Sequence, residues 1–188
     1  MLRNALLASA LAFATACPVH AQDAAGTMTA TQAGVSPLMG TSATDYVKLA
    51  ADADMYEIQS SKVALPRSKR ADVKSFARQM IADHTTTTKA LMAALKNSDR
   101  TIAPPPMKLS SENAAKVALL KKAPKGTFDD MYLQQQAQAH QAAWALHKGY
   151  ATDGTDVALK QVANTAVPIV ERHLMHAQQM VPAGSAAM

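Results

Sequence analysis

Histidine and carboxylate side chains on the apolar faces of helices are the groups in this sequence best suited to chemistry. Four stand out by position: Glu57, His84, His140 and His173. The series Tyr46, Leu49, Ala50, Ala53, Ser60, Ser61, Ala64 has helical spacing, and Glu57 falls eleven residues after its start. A second series, Val73, Phe76, Ala77, Met80, Thr87, Leu91, Ala94, Leu95, places His84 at the same offset. His140 shares a face with Tyr132, Gln136, Ala143, His147 and Tyr150, beside a neighbouring face of Phe128, Gln135, Ala139, Ala142 and Leu146. His173 lies in the stripe Leu159, Val162, Ala163, Ala166, Val170, Leu174, Ala177, Met180. Helical periodicity turns each of the four inward or nearly so.

Four inward polar groups on four helices suit a metal, because bundle metal sites are built from side chains on facing helices. Imidazole and carboxylate together suit zinc, copper, iron or manganese. Asp83 and Glu171, near His84 and His173 in the chain, are candidate outer partners, although adjacent helical residues diverge by about 100°. A buried Glu–His hydrogen-bond cluster without metal satisfies the same pattern. The glutamates number three, Glu57, Glu112 and Glu171, and no Glu-x-x-His occurs. A ferritin-type dimetal centre needs more carboxylates and that motif, so the expected occupant is a single ion. His147 and His176 read as surface or bundle-end residues, and Tyr132 as core. Met55, Met80, Met92, Met131, Met175 and Met180 fit adaptable core filling better than a methionine–copper site. No phosphate loop, nucleophile elbow or zinc-protease motif is present, so an enzyme is not the expected reading.

The elements that must position these groups are helices. Residues 44–180 are rich in Ala, Leu, Met, Gln and Lys, and no useful stretch alternates with period two. The first helix is expected to open on the Ser42–Asp45 capping box and to end at Pro66. The second is expected from Ala71 to Asn97, the third from a Thr127–Asp130 capping box to Tyr150, and the fourth over 155–180, kinked at Pro168. Residues 98–126 include Pro104-Pro105-Pro106, which forbids a continuous helix, and suit a crossover. Within it, Ser111–Lys122 predicts a short helix whose face runs through Ala114, Val117, Ala118 and Lys121.

At the N-terminus, Arg3, an apolar run from Ala5 to about Ala16 and Val19-His20-Ala21 read as a secretory signal peptide over residues 1–21. Residues 22–43 read as a flexible lead and 181–188 as a disordered tail. Lipidation at Cys17 is the alternative anchor. A cut after Ala21 leaves no cysteine, which excludes disulfides and thiol chemistry. It also removes Arg3, taking 19 basic residues to 18 against 14 acidic, a net +4. The basic residues are scattered, and Arg67-Ser68-Lys69-Arg70 and Lys121-Lys122 read as solvated ends, so nucleic acid is not an expected partner. No transmembrane span is expected in the mature chain.

The segments VKSFARQMIADHTTTTKAL, FDDMYLQQQAQAHQAAWAL and VPIVERHLMHAQQM, with Glu57 ahead of them, resemble the exported bacterial domain-of-unknown-function 4142 family over about residues 44–178. Its members are assigned to the ferritin-like superfamily and often labelled "predicted outer membrane protein". The resemblance implies an all-α, ferritin-like, up-down-down-up four-helix bundle with a long crossover. It carries the family's recurring polar positions onto Glu57, Asp83, His84, Asp130, His140 and His173. Pro66 departs from the family pattern, which more often keeps helix formers there. The chain lacks the alternating strands of an outer-membrane barrel, so the expected location is the periplasm. Two functions are expected from this reading: an exported bundle holding one metal ion, in metal binding or stress defence, or a non-enzymatic envelope protein that binds a partner.

Overall fold

The computed structural model describes residues 28–96 and 101–181. The expected signal peptide, Cys17, Asn97 and most of the expected tail lie outside them. Six helices and no strand occur among the described residues: α1 Ala30–Ala33, α2 Ala43–Arg67, α3 Ala71–Ala94, α4 Ser111–Lys122, α5 Phe128–Asp153 and α6 Val157–Met180. No helix among them is long and apolar enough to cross a membrane.

The four long helices form a closed ring of neighbours in which α2 touches α3 and α5, and α6 touches α5 and α3. One apolar cluster joins Ala64 near the end of α2, Val73 near the start of α3, Phe128 at the start of α5 and Ala177 near the end of α6. A second joins Tyr46, Leu91, Tyr150 and Leu159 from the opposite ends of the same helices. The order is therefore up-down-down-up, and the crossover must travel the length of the bundle.

Local chemistry sets most helix ends. Ser42 Oγ accepts from Asp45 N at 3.1 Å and donates to Asp45 Oδ2 at 2.7 Å, starting α2 as the capping-box spacing predicts. Asp156 caps α6 through Leu159 N at 2.9 Å. The expected box at Thr127 does not form: its hydroxyl turns back to Pro124 O at 3.5 Å, and it gives α5 no side-chain cap bond. Pro66 sits inside the last turn of α2, which ends one residue later, and Pro168 lies within α6.

The crossover is latched rather than loose. Asp52 on α2 accepts from Ser110 N at 2.7 Å and from Asn113 Nδ2 at 2.8 Å, fixing the start of α4. Arg67, expected to be solvated, donates to the Leu120, Lys121 and Ala123 carbonyls at the end of α4 and lies over the Phe128 ring. Carbonyls at a helix C-terminus lack i+4 partners, which favours a guanidinium there; Leu120 O also accepts from Ala123 N at 3.3 Å. The buried face of α4 is Val117 and Leu120, not Ala114, Ala118 and Lys121, because the helix rests on its neighbours along a narrower line than its small residues suggest.

The lead expected to be flexible is, over residues 28–42, a strap laid across α5 and α6. Leu38 N donates to Ala145 O, Gly40 N to Asp153 Oδ2 and Met28 N to Glu171 Oε1. Ala33 is fully buried against Ala143, Trp144, Val170 and Leu174. Gly149 makes the close approach possible, since a Cβ there would stand 1.9 Å from Leu38 O. Single residues and backbone bonds dock the strap, so it carries no apolar period for a sequence to display.

Candidate metal centre

Between the two apolar clusters lies a buried polar layer. His84 projects into it from α3, His140 from α5 and His173 from α6, all at most 3% exposed. His84 Nε2 lies 3.4 Å from His140 Nε2, and His140 Nε2 lies 3.3 Å from His173 Nδ1. One nitrogen from each ring is within 4.8 Å of the other two.

The remaining ring nitrogens settle the tautomers. His84 Nδ1 meets Asp54 Oδ1 at 2.8 Å, and His173 Nε2 meets Asp83 Oδ2 at 2.9 Å. His140 Nδ1 meets the Gln136 carbonyl at 2.8 Å, with Glu57 Oε1 at 3.7 Å beside it. Carbonyl and carboxylate oxygens only accept, so each outer nitrogen carries its hydrogen. In the neutral rings, all three inner nitrogens then present lone pairs to one another. His84 and His173 are backed by carboxylates and His140 by a backbone carbonyl, partners of the kind that orient metal-bound imidazoles.

The electrostatics describe one proton shared badly among three rings. Burial disfavours a charged His84, yet the Asp54 bond and charge outweigh it and raise the pKa above the ordinary value. Burial, and then the charge on His84, lowers His140 to about 3. Burial, followed by the charges of His140 and His84, also drives His173 far down. A proton on His84 Nε2 satisfies His140, but leaves the inner lone pairs of His140 and His173 facing each other at 3.3 Å. Burial lifts Glu57 to about 7 against the pull of His84, and its Oε2 has no hydrogen-bond partner.

The structure distributes the expected site residues unevenly. His84, His140 and His173 converge. Glu57, expected beside them as a ligand, stands at the outer nitrogen of His140 and outside the convergent set. Its face of α2 is right, but helical phase does not tell which side of a ring a carboxylate reaches. Asp83, two-thirds buried, reaches across to His173 on α6 rather than to its neighbour His84. Asp130 stands in the first turn of α5 among the acidic groups around Arg70, away from the histidines. Glu171 is buried but points outward, accepting from Trp144 Nε1 and Met28 N at 3.0 Å each.

Asp54 is the group sequence reasoning missed. Besides His84, it accepts from Thr87 Oγ1 at 2.9 Å and Thr88 Oγ1 at 3.0 Å. The available signal was its place three residues before Glu57 on one helix face, opposite a run of threonines. The other two threonines bond back to their own helix, Thr85 to Ile81 O and Thr86 to Ala82 O. His147, expected at the surface or a bundle end, is buried with Nδ1 at 3.0 Å from Tyr46 Oη, whereas His176 is exposed. Of the six methionines read as core filling, Met80 is fully buried, Met175 is exposed and the other four are half-buried.

A crystal structure of a DUF305 fragment from Deinococcus radiodurans superposes with a TM-score of 0.63 at 18% identity, covering 73% of this chain and 93% of that one. At that identity the likeness speaks for the helical fold alone. No curated protein matches the chain. The sequence profile of the family described as "Domain of unknown function (DUF4142)" matches residues 18–180, which takes in the whole bundle, the strap and all three histidines. The chain belongs to the DUF4142 family.

Proposed function

We infer that this chain is an exported, periplasmic protein that binds one divalent metal ion through His84, His140 and His173. A single observation carries the reading: three inner lone pairs converge while every outer N–H is held by an acceptor. The spacing agrees with it. Metal–nitrogen bonds of 2.0–2.1 Å in a tetrahedral site put neighbouring nitrogens about 3.3–3.4 Å apart. Two of the three edges are 3.4 and 3.3 Å, and the third lies within 4.8 Å. Right-angled octahedral ligation at the same bond length would need about 3.0 Å or less. Three imidazole donors favour zinc over manganese. Asp54, Asp83 and Glu57 supply the compensating negative charge. A protein donor set of three leaves the fourth position to water or another small ligand, with capture in envelope metal stress as the physiological use this reading favours.

The test is a titration of the metal-stripped, purified chain with zinc, followed by calorimetry and elemental analysis. One ion per chain is expected, with loss of binding in His84→Ala, His140→Ala and His173→Ala. Binding to the native state alone raises the melting temperature. A wild-type chain that takes up no zinc, copper, iron or manganese, and melts unchanged in their presence, makes the cluster a metal-free network centred on protonated His84. That outcome would favour a non-enzymatic envelope interaction protein.

A further inference from the structure

On the outer face of α2, where the crossover lies against it, runs an open trough in two adjoining compartments. The smaller, about 230 Å³, is walled by Leu49, Met55, Pro106 and Leu109 and is almost wholly apolar. The larger, about 460 Å³, is floored by Ala53, Ala142 and Leu146 and bounded by Leu38. Both are bordered by Leu49, Asp52 and Ser110. Leu38 and Leu49 are 47% and 46% exposed, so the fold leaves large apolar side chains uncovered at this place. Together the compartments have the size of a small-molecule site.

Most polar side chains of the walls are engaged, Ser111 and Gln138 at the larger compartment excepted. Asp52 is held by Ser110 and Asn113, Tyr56 Oη donates to Gln135 Oε1 at 3.0 Å, and Lys116 pairs with Glu112 at 2.7 Å. These groups have internal partners, so the trough is poorly furnished for a peptide backbone, which needs a series of hydrogen bonds. A concave apolar channel also suits an extracted chain better than a bilayer, which calls for a protruding face. Two cations remain at the smaller compartment, Lys48 and Lys108, and neither has a carboxylate partner among the described residues.

We propose that this trough binds one medium-length fatty acid, its acyl chain along Leu49 and its carboxylate at Lys48 and Lys108. The site is separate from the histidine cluster and does not depend on it. Charge complementarity selects the anionic head, and the apolar lining selects the chain. Lengthening the chain by two methylenes tightens binding by up to about 15-fold until the trough is filled.

The test uses the purified full chain with decanoate, laurate, dodecanol and dodecyltrimethylammonium, each below its critical micelle concentration. Calorimetry and native mass spectrometry read affinity and stoichiometry. One laurate per chain is expected, bound more tightly than decanoate. Lys48→Glu combined with Lys108→Glu weakens laurate by about tenfold or more and leaves dodecanol unchanged. Leu49→Gln, at an exposed position with little bearing on folding, weakens both, and circular dichroism checks that each variant keeps its helices. The proposal is overturned if dodecyltrimethylammonium matches laurate, or if Leu49→Gln binds laurate like the wild type. Binding to anionic phospholipid vesicles without a complex of one laurate per chain also overturns it.

Discussion

Replacing Asp83 with asparagine separates a metal site from a hydrogen-bond network, because it alters charge and keeps geometry. Asp83 accepts from His173 Nε2 at 2.9 Å and is 33% exposed. An asparagine oxygen can accept the same bond, so the metal-free fold should lose less than about 1 kcal/mol. Metal affinity should fall by about 10- to 100-fold, since the imidazole loses the carboxylate that raises its basicity. At free zinc 100 times the wild-type Kd, binding stabilises the wild type by about 2.7 kcal/mol. The same zinc concentration stabilises the variant by only about 0.4–1.4 kcal/mol. At about 2–4 °C per kcal/mol for a chain of this length, the zinc-induced rise in Tm should shrink by about 3–9 °C. Thermal melts at buffered free zinc, with and without chelator, measure this directly. Asp130→Asn, remote from the histidines, serves as the control and should behave as wild type. Equal zinc-induced shifts in Asp83→Asn and wild type would refute the carboxylate–histidine–metal reasoning.

Three further outcomes follow from other parts of the molecule. Burial lowers His147 to about 4, so between that value and about 6.5 the unfolded chain binds the extra proton. This contribution to stability is present above pH 6.5 and lost as the pH falls toward 4; Glu57 and His84, both raised, act in the opposite sense. Urea unfolding of wild type and His147→Gln at pH 7.5 and 4.5 should isolate it, with the two chains' stabilities diverging by up to about 3 kcal/mol between those pH values. Glu171→Ala should cost about 1–3 kcal/mol, because the indole N–H of the sole tryptophan, Trp144, loses its partner; fluorescence and urea midpoints report it together. Gly149→Ala should push the strap off α5, costing about 1–3 kcal/mol and opening the Leu38 amide to hydrogen exchange.

Helical phase made much of this molecule legible. The stripes through Val73–Leu91 and Leu159–Ala177 brought His84 and His173 inside, and Ala143, His147 and Tyr150 marked the correct face of α5 for His140. The prolines and the capping serine located the crossover and the start of α2. Phase gives only a direction around one axis, however. It does not say that Glu57 reaches the outer side of His140, or that Asp83 crosses to another helix. Asp54 escaped notice because an aspartate near an apolar stripe ordinarily signifies solvent, and its donors lie 30 or more residues away. The strap was illegible for a different reason: its bonds are mostly made by backbone, which composition does not encode.

The polar layer is assembled between the α2–α3 and α5–α6 hairpins more than within either. Asp83 serves His173, Glu57 lies by His140, Ser60 receives Gln136, Ser61 pairs with Tyr132, and Tyr46 pairs with His147. A chain with only one hairpin formed would forgo these bonds, at about 0.5–1.5 kcal/mol each, and would turn the apolar side chains of the shared interface out to water. Such penalties rival the whole stability of an ordinary domain. Half a bundle is thus a poor resting place, and the two hairpins should gain or lose their structure in one concerted event.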